Sequence, residues 1–312
     1  MKVFGITCGR KNGNSEILLK EAFKAIEQES DAETSYIRLQ DATILSCTGC
    51  ETCMTKHIKG DMEFRCIHKK EADHFYFIET QLRAADAIIV STPIYNLLPT
   101  GILIRFLNKL HSSGDYRLLT RKNPKIGAAI TVGGTDWTNF GMPIAMLTVM
   151  ELCGSFSSIV DQLSVTFNPS QGAVILDDDA MAGARRLGGN IANALKSGRK
   201  LEYKGEKGVC PLCYGSLIEV REEGIYCPTC EIKGDAAIES GKLNISFKDE
   251  AIGKSRWGEW GQKVHIENIA KGHKKAIDGK EQIDAIRKEY TKYKKPLALP
   301  KIEKITGSAL HH

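Results

Sequence analysis

Residues 2–29 read KVFGITCGRKNGNSEILLKEAFKAIEQE and predict the first unit of the fold. Lys2–Thr7 is a short apolar run of the kind that forms a buried parallel strand. The turn CGRKNGNS follows it, and the next stretch has apolar residues at helical spacing, with Asn14 or Ser15 as its N-cap. A strand, a glycine-bearing loop and a helix present backbone N–H groups and the positive end of a helix to a phosphate. Neither G-x-G-x-x-G nor the Walker pattern is present, so the turn indicates an anion site without naming its ligand.

Four more apolar runs continue the alternation of strand and helix through the first 200 residues. These further predicted strands are residues 35–39, 87–91, 125–132 and a segment within 155–165. The helical patterns that separate or follow them are residues 72–85, 101–111, 142–153 and 178–197. Strands that alternate with helices form a parallel sheet with helices on both faces. We therefore predict an α/β fold, a flavodoxin-like doubly wound sheet of five parallel strands in the order 2-1-3-4-5.

Three loops of this predicted sheet follow strands and share a composition rich in Gly, Thr, Pro and Tyr. They are residues 8–15, 92–96 and 133–135. In doubly wound sheets the ligand lies beyond the carboxyl ends of the strands. We therefore expect all three loops to line one crevice.

The composition is that of an ordinary globular protein with an unusual use of cysteine. Apolar residues make up 42% and charged residues 26% of the chain. No apolar run reaches the roughly 18 residues that span a bilayer, and the N-terminus MKVFGITCG has no basic-then-apolar leader, so we expect a cytoplasmic protein. Eight of the ten cysteines fall into two groups of four, which leaves Cys8 and Cys153. Because the cytosol does not favour structural disulfides, the two groups predict metal or redox chemistry.

The first group of cysteines lies in residues 44–66, ILSCTGCETCMTKHIKGDMEFRC, which we call the cysteine loop. Its cysteines are Cys47, Cys50, Cys53 and Cys66. Tight C-x2-C-x2-C runs hold iron–sulfur clusters, with a fourth Cys supplied from nearby, so the loop predicts a [4Fe–4S] cluster. Twelve residues separate the third and fourth cysteines, which leaves open that His57 or His68 replaces a thiolate or that one iron site stays open. A loop that carries these cysteines without iron is a further alternative.

The second group of cysteines belongs to residues 205–248, which we call the ribbon. Two C-P-x-C knuckles contribute Cys210, Cys213, Cys227 and Cys230. Two knuckles joined by a hairpin form a tetrahedral site of four thiolates, so the segment resembles a zinc ribbon. The short spacing between the knuckles also resembles small iron domains, which leaves Fe(Cys)4 open. Rubredoxin-type knuckles usually continue with Gly, whereas Tyr214 and Glu231 follow here, so zinc is favoured.

The C-terminal part of the chain is basic and helical in pattern. Residues 248–312 contain 15 Lys/Arg and 9 Asp/Glu. A basic tail can bind nucleic acid or an acidic protein, but the interspersed acidic residues favour a solvated helix face. Residues 255–276 and 280–293 read as amphipathic helices, and GSALHH at 307–312 resembles an expression-tag remnant. We predict three parts, namely residues 1–200, residues 205–248 and a helical tail at 249–306.

Four motifs together, GRKNGNSEILL, TGCETC, STPIYN and GILIRFLNKL, resemble the NADPH-dependent FMN reductase family over about the first 200 residues. More narrowly, they resemble its iron–sulfur flavoproteins, which have the flavodoxin-like fold. In that family the first loop binds the FMN phosphate, the second packs on the ring and ribityl chain, and the third closes around the flavin edge. The residues that the resemblance assigns to these roles are Thr7, Cys8, Arg10, Asn12, Asn14 and Ser15 in the first loop, Thr92, Pro93, Ile94, Tyr95 and Asn96 in the second, and Gly133, Gly134 and Thr135 in the third.

The sequence departs from the family pattern at three points. Cys8 stands where a phosphate-contacting Ser is usual. Arg105 and the pair Asn108-Lys109 stand where a Lys and an Asp-Arg pair are usual. The spacer before Cys66 is longer than in most family members.

The prediction that follows is an FMN-dependent oxidoreductase in which FMN and a [4Fe–4S] cluster exchange electrons. NAD(P)H or a ferredoxin would be the donor, and a small molecule or a protein the acceptor. Tyr95, Asn96 and Trp137 are candidates for shaping the substrate space over the flavin. In related iron–sulfur flavoproteins the two centres meet near subunit interfaces, which implies a homodimer or a homotetramer. Two alternatives stay open, namely an NAD(P)H-dependent flavin or quinone-type reductase without a cluster, and a non-enzymatic zinc-ribbon module that binds nucleic acid or protein.

Overall fold

The structure is a computed structural model that describes residues 1–68, 73–136, 138, 140–198, 202–206, 208–293 and 296–297. It consists of two compact units, Met1–Trp257 and Gly258–His312. The predicted division into residues 1–200, 205–248 and 249–306 stays a prediction. Residues 307–312 lie outside the described residues.

The first 200 residues form a parallel sheet with helices around it. The strands are β1 (Lys2–Thr7), β2 (Glu33–Arg38), β3 (Ala87–Tyr95), β4 (Leu98–Pro99), β5 (Ile126–Gly133) and β6 (Ile159–Val165). The helices are α1 (Asn14–Glu29), α2 (Thr52–Ile58), α3 (Phe75–Ala84), α4 (Gly101–Lys109), α5 (Gly114–Lys122), α6 (Gly141–Cys153) and α7 (Asp178–Lys196). The order β2-β1-β3-β5-β6, parallel throughout, confirms the predicted flavodoxin-like α/β fold. The short β4 pairs antiparallel with the end of β3.

The sheet is buried on both faces, which is why its central strands are continuous apolar runs rather than alternating ones. In β3, Ile88 and Val90 pack into the core on one face and Ile89 into the core on the other. All three are fully buried, and each such side chain contributes roughly 1.5–3 kcal/mol to the stability of the fold. Helix α1 lies so close to the sheet that a Cβ atom at Gly5 would stand 2.7 Å from Cζ of Phe23. Helices therefore pack closely against both faces of the sheet.

Four features of this region differ from the sequence-based prediction. Gly13, rather than Asn14 or Ser15, is the N-cap of α1. Strand β3 continues through Pro93 to Tyr95, because its last residues pair in parallel with β5 and in antiparallel fashion with β4. Helix α2 forms inside the cysteine loop, and helix α5 forms between α4 and β5. No residue of α2 is buried, so the helix has no apolar stripe that a sequence pattern could reveal.

The ribbon forms a second, antiparallel sheet. Its strands are β7 (Glu219–Arg221), β8 (Gly224–Tyr226), β9 (Lys233–Glu239) and β10 (Lys242–Ser246), in the order β10-β9-β8-β7, and α8 (Asp249–Gly253) follows. The β7–β8 hairpin lies between the two knuckles, where the sequence predicts a hairpin.

The second unit contains two helices, α9 (Glu259–Asp278) and α10 (Lys280–Tyr293). Of all the helices within the described ranges, none is both long enough and apolar enough to cross a membrane.

Candidate functional site

A cavity of about 350 Å³ opens at the carboxyl edge of the parallel sheet. This volume lies within the ~300–1,000 Å³ range of small-molecule and cofactor sites. The loops after β1, β3 and β5 meet here, as the topology of a doubly wound sheet requires. The lining residues are Gly9, Arg10, Gly13, Asn14 and Ser15 from the first loop; Pro93, Ile94, Tyr95, Asn96 and Leu97 from the second; Val132, Gly133, Gly134 and Thr135 from the third; and Asn168 and Pro169 from a fourth.

The first loop brings a hydroxyl and the N-terminus of α1 to the cavity. Ser15 lies in the first turn of this 16-residue helix, is 2% exposed, and its Oγ is 3.4 Å from Oγ1 of Thr7. A Cβ atom at Gly9 would stand only 2.3 Å from Ser15 Oγ, so this position has room only for a glycine. The unpaired N–H groups of the first helical turn and the Arg10 guanidinium make this end of the cavity suited to an anion.

A buried carboxylate supports the same loop from behind. Glu16 is 2% exposed and accepts hydrogen bonds from the backbone N–H of Asn12 (2.9 Å), the Lys20 ammonium (2.6 Å) and the hydroxyl of Tyr36 (3.0 Å). Burial acts to raise the pKa of Glu16, but these partners outweigh it and hold the pKa below its ordinary value. Glu16 therefore stays ionised and fixes Asn12, whose φ of 53° lies in the left-handed region.

The second loop presents an aromatic ring at the mouth of the cavity. Tyr95 is 53% exposed although it ends a buried strand. Asn96 and Leu97 follow it with φ values of 50° and 70°, which turn the chain back into β4. The antiparallel pairing of β3 with β4 stabilises this unfavourable backbone conformation.

The third loop is held close to the start of α6. A Cβ atom at Gly133 would stand 2.7 Å from Cγ2 of Thr138 and 3.0 Å from the carbonyl oxygen of Thr135. Thr138 is buried, and its carbonyl accepts the N–H groups of Gly141 and Met142, both at 3.0 Å.

A fourth loop, after β6, completes the cavity and was missed by the sequence analysis. Asn14 Nδ2 donates to the carbonyl oxygens of Asn168 and Ser170, both at 2.9 Å, and the N–H of Asn168 donates to the carbonyl of Gly133 at 3.1 Å. Asn168 Nδ2 also donates to Asp177 Oδ2 at 2.8 Å. The signal that could have found this loop is topological, because β6 also ends at the carboxyl edge of the sheet.

Four of the residues assigned to the flavin site lie outside the cavity lining. Thr7, Cys8 and Thr92 are fully buried, and Asn12 is exposed on the outside of the first loop. Cys8 packs in the apolar core, and burial raises the pKa of its thiol to about 12, so it is a neutral core residue. Trp137 lies outside the described residues.

In the cysteine loop the thiols lie near the surface and share one electrostatic environment. Cys47 and Cys50 are exposed, whereas Cys53 and Cys66 are half-buried. Hydrogen bonds from Thr52 lower the pKa of the Cys50 thiol to about 7. Burial raises the pKa of the Cys53 thiol, and the neighbouring Cys47 and Cys50 add to this shift.

The surroundings of the cysteine loop are fixed by contacts from α3, α4 and α5. The N–H of Cys66 donates to the hydroxyl of Tyr76 at 2.8 Å. Lys109, paired with Asp73, contributes a buried positive charge that interacts with Cys66 and Cys47. The residue before Cys66, Arg65, pairs with Asp115 at 2.8 Å and 3.0 Å through two nitrogens.

The two histidines considered as alternative ligands have different environments. His68 lies within hydrogen-bonding reach of the Cys50 thiol. His57 packs against Gly114, where a Cβ atom would stand 2.5 Å from its ring. Its Nε2 is buried without a hydrogen-bond partner in the described part of the chain, so His57 is a packing residue of α2.

In the ribbon the four sulfurs converge. The sulfur atoms of Cys210, Cys213, Cys227 and Cys230 lie within 4.8 Å of one another, and all four residues are buried. Cys213 Sγ and Cys227 Sγ are 3.5 Å apart. A tetrahedral ion with Zn–S bonds of about 2.3 Å would separate its sulfurs by about 3.8 Å. The geometry therefore fits one tetrahedral metal ion. Within the described ranges, this is the only set of three or more potential ligands brought together so closely.

Comparison with known proteins agrees with this arrangement. The family model for NADPH-dependent FMN reductase matches residues 1–167. A flavone synthase of Aspergillus candidus is 26% identical over 301 residues, which cover 87% of this chain and 90% of that protein. An iron–sulfur flavoprotein of Archaeoglobus fulgidus is 27% identical over 208 residues, which cover 66% of this chain and 86% of that protein. A solved structure of a flavone reductase has a TM-score of 0.78, with 22% identity, and the match covers 96% of this chain and 100% of that one, which shows a shared fold.

The family match spans β1 to the loop after β6 and includes every strand whose end lines the cavity. The chain therefore belongs to the NADPH-dependent FMN reductase family and is an FMN-dependent oxidoreductase.

Proposed function

We propose that this oxidoreductase passes electrons between FMN in the cavity and a [4Fe–4S] cluster on the cysteine loop. The observation that carries the proposal is the joint presence of a glycine-lined cavity at the N-terminus of α1 and four thiols in one loop of the same compact unit. FMN takes two electrons as hydride and can release them singly, whereas a cluster transfers one at a time. The electrons would come from NAD(P)H or a ferredoxin and reach a small-molecule or protein acceptor.

The residues of the cavity fit FMN. The helix N-terminus, the Ser15 hydroxyl and the Arg10 guanidinium would hold the phosphate, and Gly9 and Gly13 would allow its close approach. Pro93 and Tyr95 would orient the ring and exclude water from one face. Asn168 would close the opposite side through its bond to Gly133.

The cysteine loop fits a cluster by its chemistry and by its setting. Its four cysteines are free thiols on one short stretch of the chain, so this stretch can supply four thiolates. A [4Fe–4S] cluster takes such a set, with one thiolate for each iron. The Lys109 ammonium and the N–H groups around the loop would stabilise the negative charge of thiolate ligands.

We propose zinc for the ribbon, in a closed structural site. Four buried thiolates leave no open position for a substrate. Fe(Cys)4 would fit the same geometry, and metal analysis separates the two ions.

A second candidate function is the reduction of a flat apolar acceptor directly at the flavin, without a cluster. Tyr95 and Leu97 in the cavity lining and Phe167 beside it are at least 36% exposed, which forms an apolar rim. One relative, whose match covers 87% of this chain, is a flavone synthase, and flavones are flat aromatic molecules. The non-enzymatic zinc-ribbon module is not favoured, because the family match identifies an oxidoreductase.

A homodimer or homotetramer is the proposed assembly. Helices α9 and α10 expose Ile266, Ile277 and Tyr290, and a second copy of the chain would cover such side chains. Sedimentation at several protein concentrations tests this proposal. A cytoplasmic location stays a prediction.

The experiment that tests the electron-transfer proposal compares the wild type with Cys47→Ala, both isolated without oxygen. We expect Cys47→Ala to lose iron, sulfide and the broad visible absorbance of the cluster while it keeps the flavin bands. The matched control is Cys153→Ala, since Cys153 is a buried core thiol outside both groups. Full retention of iron in Cys47→Ala would refute the cluster assignment.

A further inference from the structure

The ribbon is anchored along the edge of the parallel sheet, on strand β6. The N–H of Lys204, in the connection that leads to the ribbon, donates to the carbonyl of Val160 at 2.8 Å. The ring of Tyr203 stacks on that of Tyr214, with centroids 3.5 Å apart and planes 5° from parallel. Tyr214 follows the metal-site residue Cys213, so one knuckle of the ribbon packs directly against the connection that lies beside β6.

A buried amide joins that knuckle to β6. Gln162 is 5% exposed, and its Nε2 donates to the carbonyl oxygens of Tyr214 (3.0 Å) and Glu206 (3.3 Å). The fit around Tyr214 is tight, because a Cβ atom at Gly208 would stand 1.9 Å from the Tyr214 carbonyl oxygen. Tyr214 itself has a φ of 56°. The position of this carbonyl therefore depends on the folded knuckle.

Two residues further along the same face of β6, a second set of contacts reaches the flavin cavity. The N–H of Ser164 donates to Glu206 Oε1 at 3.3 Å, and its hydroxyl donates to Thr138 Oγ1 at 2.8 Å. The Thr138 carbonyl accepts the first two N–H groups of α6, and the Thr138 Cγ2 methyl lies beside Gly133, which lines the cavity. A continuous series of contacts thus leads from the metal knuckle to the third loop of the flavin site.

We infer that Gln162 and Thr138 are positioning residues that couple metal binding in the ribbon to flavin binding in the cavity. With the knuckle folded around its metal, the Tyr214 carbonyl holds Gln162, and β6 holds the third loop in the shape that receives FMN. Without the metal, the knuckle would no longer hold the Tyr214 carbonyl in place, and Gln162 would lose this hydrogen-bond partner. Coupling of this kind is reciprocal, so FMN would raise the metal affinity of the ribbon by the same factor. The inference rests on a metal in the ribbon and does not depend on the cluster of the cysteine loop.

The test measures the Kd of FMN by quenching of flavin fluorescence in the full chain, with zinc content recorded for each sample. We expect Cys213→Ser to lose the metal and to raise the Kd by at least about fivefold, the lower end of typical coupling between sites. Gln162→Leu and Thr138→Val, which leave all four cysteines in place, should weaken FMN binding without loss of zinc. Thr138→Ser keeps the hydroxyl bond to Ser164 and loses only the methyl group beside Gly133, so its affinity for FMN should lie between those of the wild type and Thr138→Val. The control Leu243→Ser changes a ribbon side chain that is 62% exposed and should have no effect.

The outcomes separate the inference from the assignments on which it stands. Wild-type protein with neither zinc nor iron in the ribbon would contradict the metal site itself. A metal-loaded wild type whose FMN affinity matches that of Cys213→Ser would overturn the coupling, even if Cys213→Ser were less stable. If Gln162→Leu and Thr138→Val each weaken binding, the double variant should show less than the summed effect, because both act on one series of contacts. Full additivity would overturn the inference.

Discussion

Replacing Gly9 with alanine tests the proposal that the first loop binds the phosphate of FMN. The added Cβ atom would stand 2.3 Å from Ser15 Oγ, whereas its next neighbour, Cδ of Pro93, is at an ordinary 3.5 Å. The Ser15 hydroxyl is therefore the group that must move. The Ser15 side chain is 2% exposed and has little free space, so we expect it to adopt another rotamer in which its hydroxyl no longer faces the phosphate site.

The magnitude follows from the hydrogen bond that the Ser15 hydroxyl would donate to the phosphate in the proposed site. A hydrogen bond to a charged group is worth about 1.5–3 kcal/mol. Since about 1.4 kcal/mol corresponds to a tenfold change in affinity, Gly9→Ala should raise the Kd of FMN by about 10- to 150-fold. The assay is a titration of flavin-free protein with FMN, followed by fluorescence quenching, with the melting temperature measured alongside.

Two further variants make this prediction specific. Gly101→Ala adds the same methyl group at the start of α4, where no atom lies within 4 Å, and should bind FMN normally. Ser15→Ala should weaken binding, and the double variant of Gly9 and Ser15 should be no weaker than Ser15→Ala alone, because both act through one hydroxyl. Unchanged affinity in Gly9→Ala, or a double variant in which the two losses add, would refute the reasoning.

Three other predictions concern the scaffold of the site. Asp177→Ala removes the N-cap of α7 and should lower the free energy of unfolding by about 0.5–2 kcal/mol. The backbone hydrogen bond from Ala180 lowers the pKa of Asp177. The stability that this cap contributes is therefore present at neutral pH and is lost as the pH falls below about 4. Urea unfolding of the wild type and Asp177→Ala at about pH 7 and below about pH 4 measures this loss. Gly154→Ala should destabilise the protein by more than about 1 kcal/mol, because φ is +94° and the new Cβ would stand 2.2 Å from the carbonyl oxygen of Thr120; an unchanged melting temperature would contradict this. Lys109→Met should lower the free energy of unfolding by about 3–5 kcal/mol at neutral pH, because it leaves the buried Asp73 carboxylate without its ion-pair partner. The double variant with Asp73→Leu should recover much of this loss in the same unfolding assay.

The sheet could be predicted from the sequence because its strands are buried on both faces. Runs such as residues 87–91 are apolar without interruption, and the loops that follow them carry the residue types of a cofactor site. Parallel topology then brings these loops to one edge, and the structure confirms that arrangement. The convergence of the four ribbon sulfurs likewise follows the spacing of the two knuckles.

The rest of the site depends on contacts between residues that are distant in the sequence. Hydrogen bonds of its backbone with Asn14 and Gly133 place Asn168 in the cavity lining. No local sequence pattern predicts these bonds. The family resemblance assigns Cys8 to the phosphate, but the structure places its thiol in the core. Side chains alternate between the two faces of an extended strand, and Cys8 falls on the same face as Phe4 and Ile6. The buried ion pair of Lys109 and Asp73 could not be predicted either, because a single Lys or Asp in a sequence normally indicates a surface charge.

We propose that FMN occupies the cavity and that an iron–sulfur cluster lies on the cysteine loop. The most direct test is quantitation of FMN, iron and acid-labile sulfide released from protein isolated without oxygen. We expect tightly held FMN together with iron and sulfide in a ratio that matches [4Fe–4S]. Colourless protein, with neither FMN nor sulfide, would contradict it.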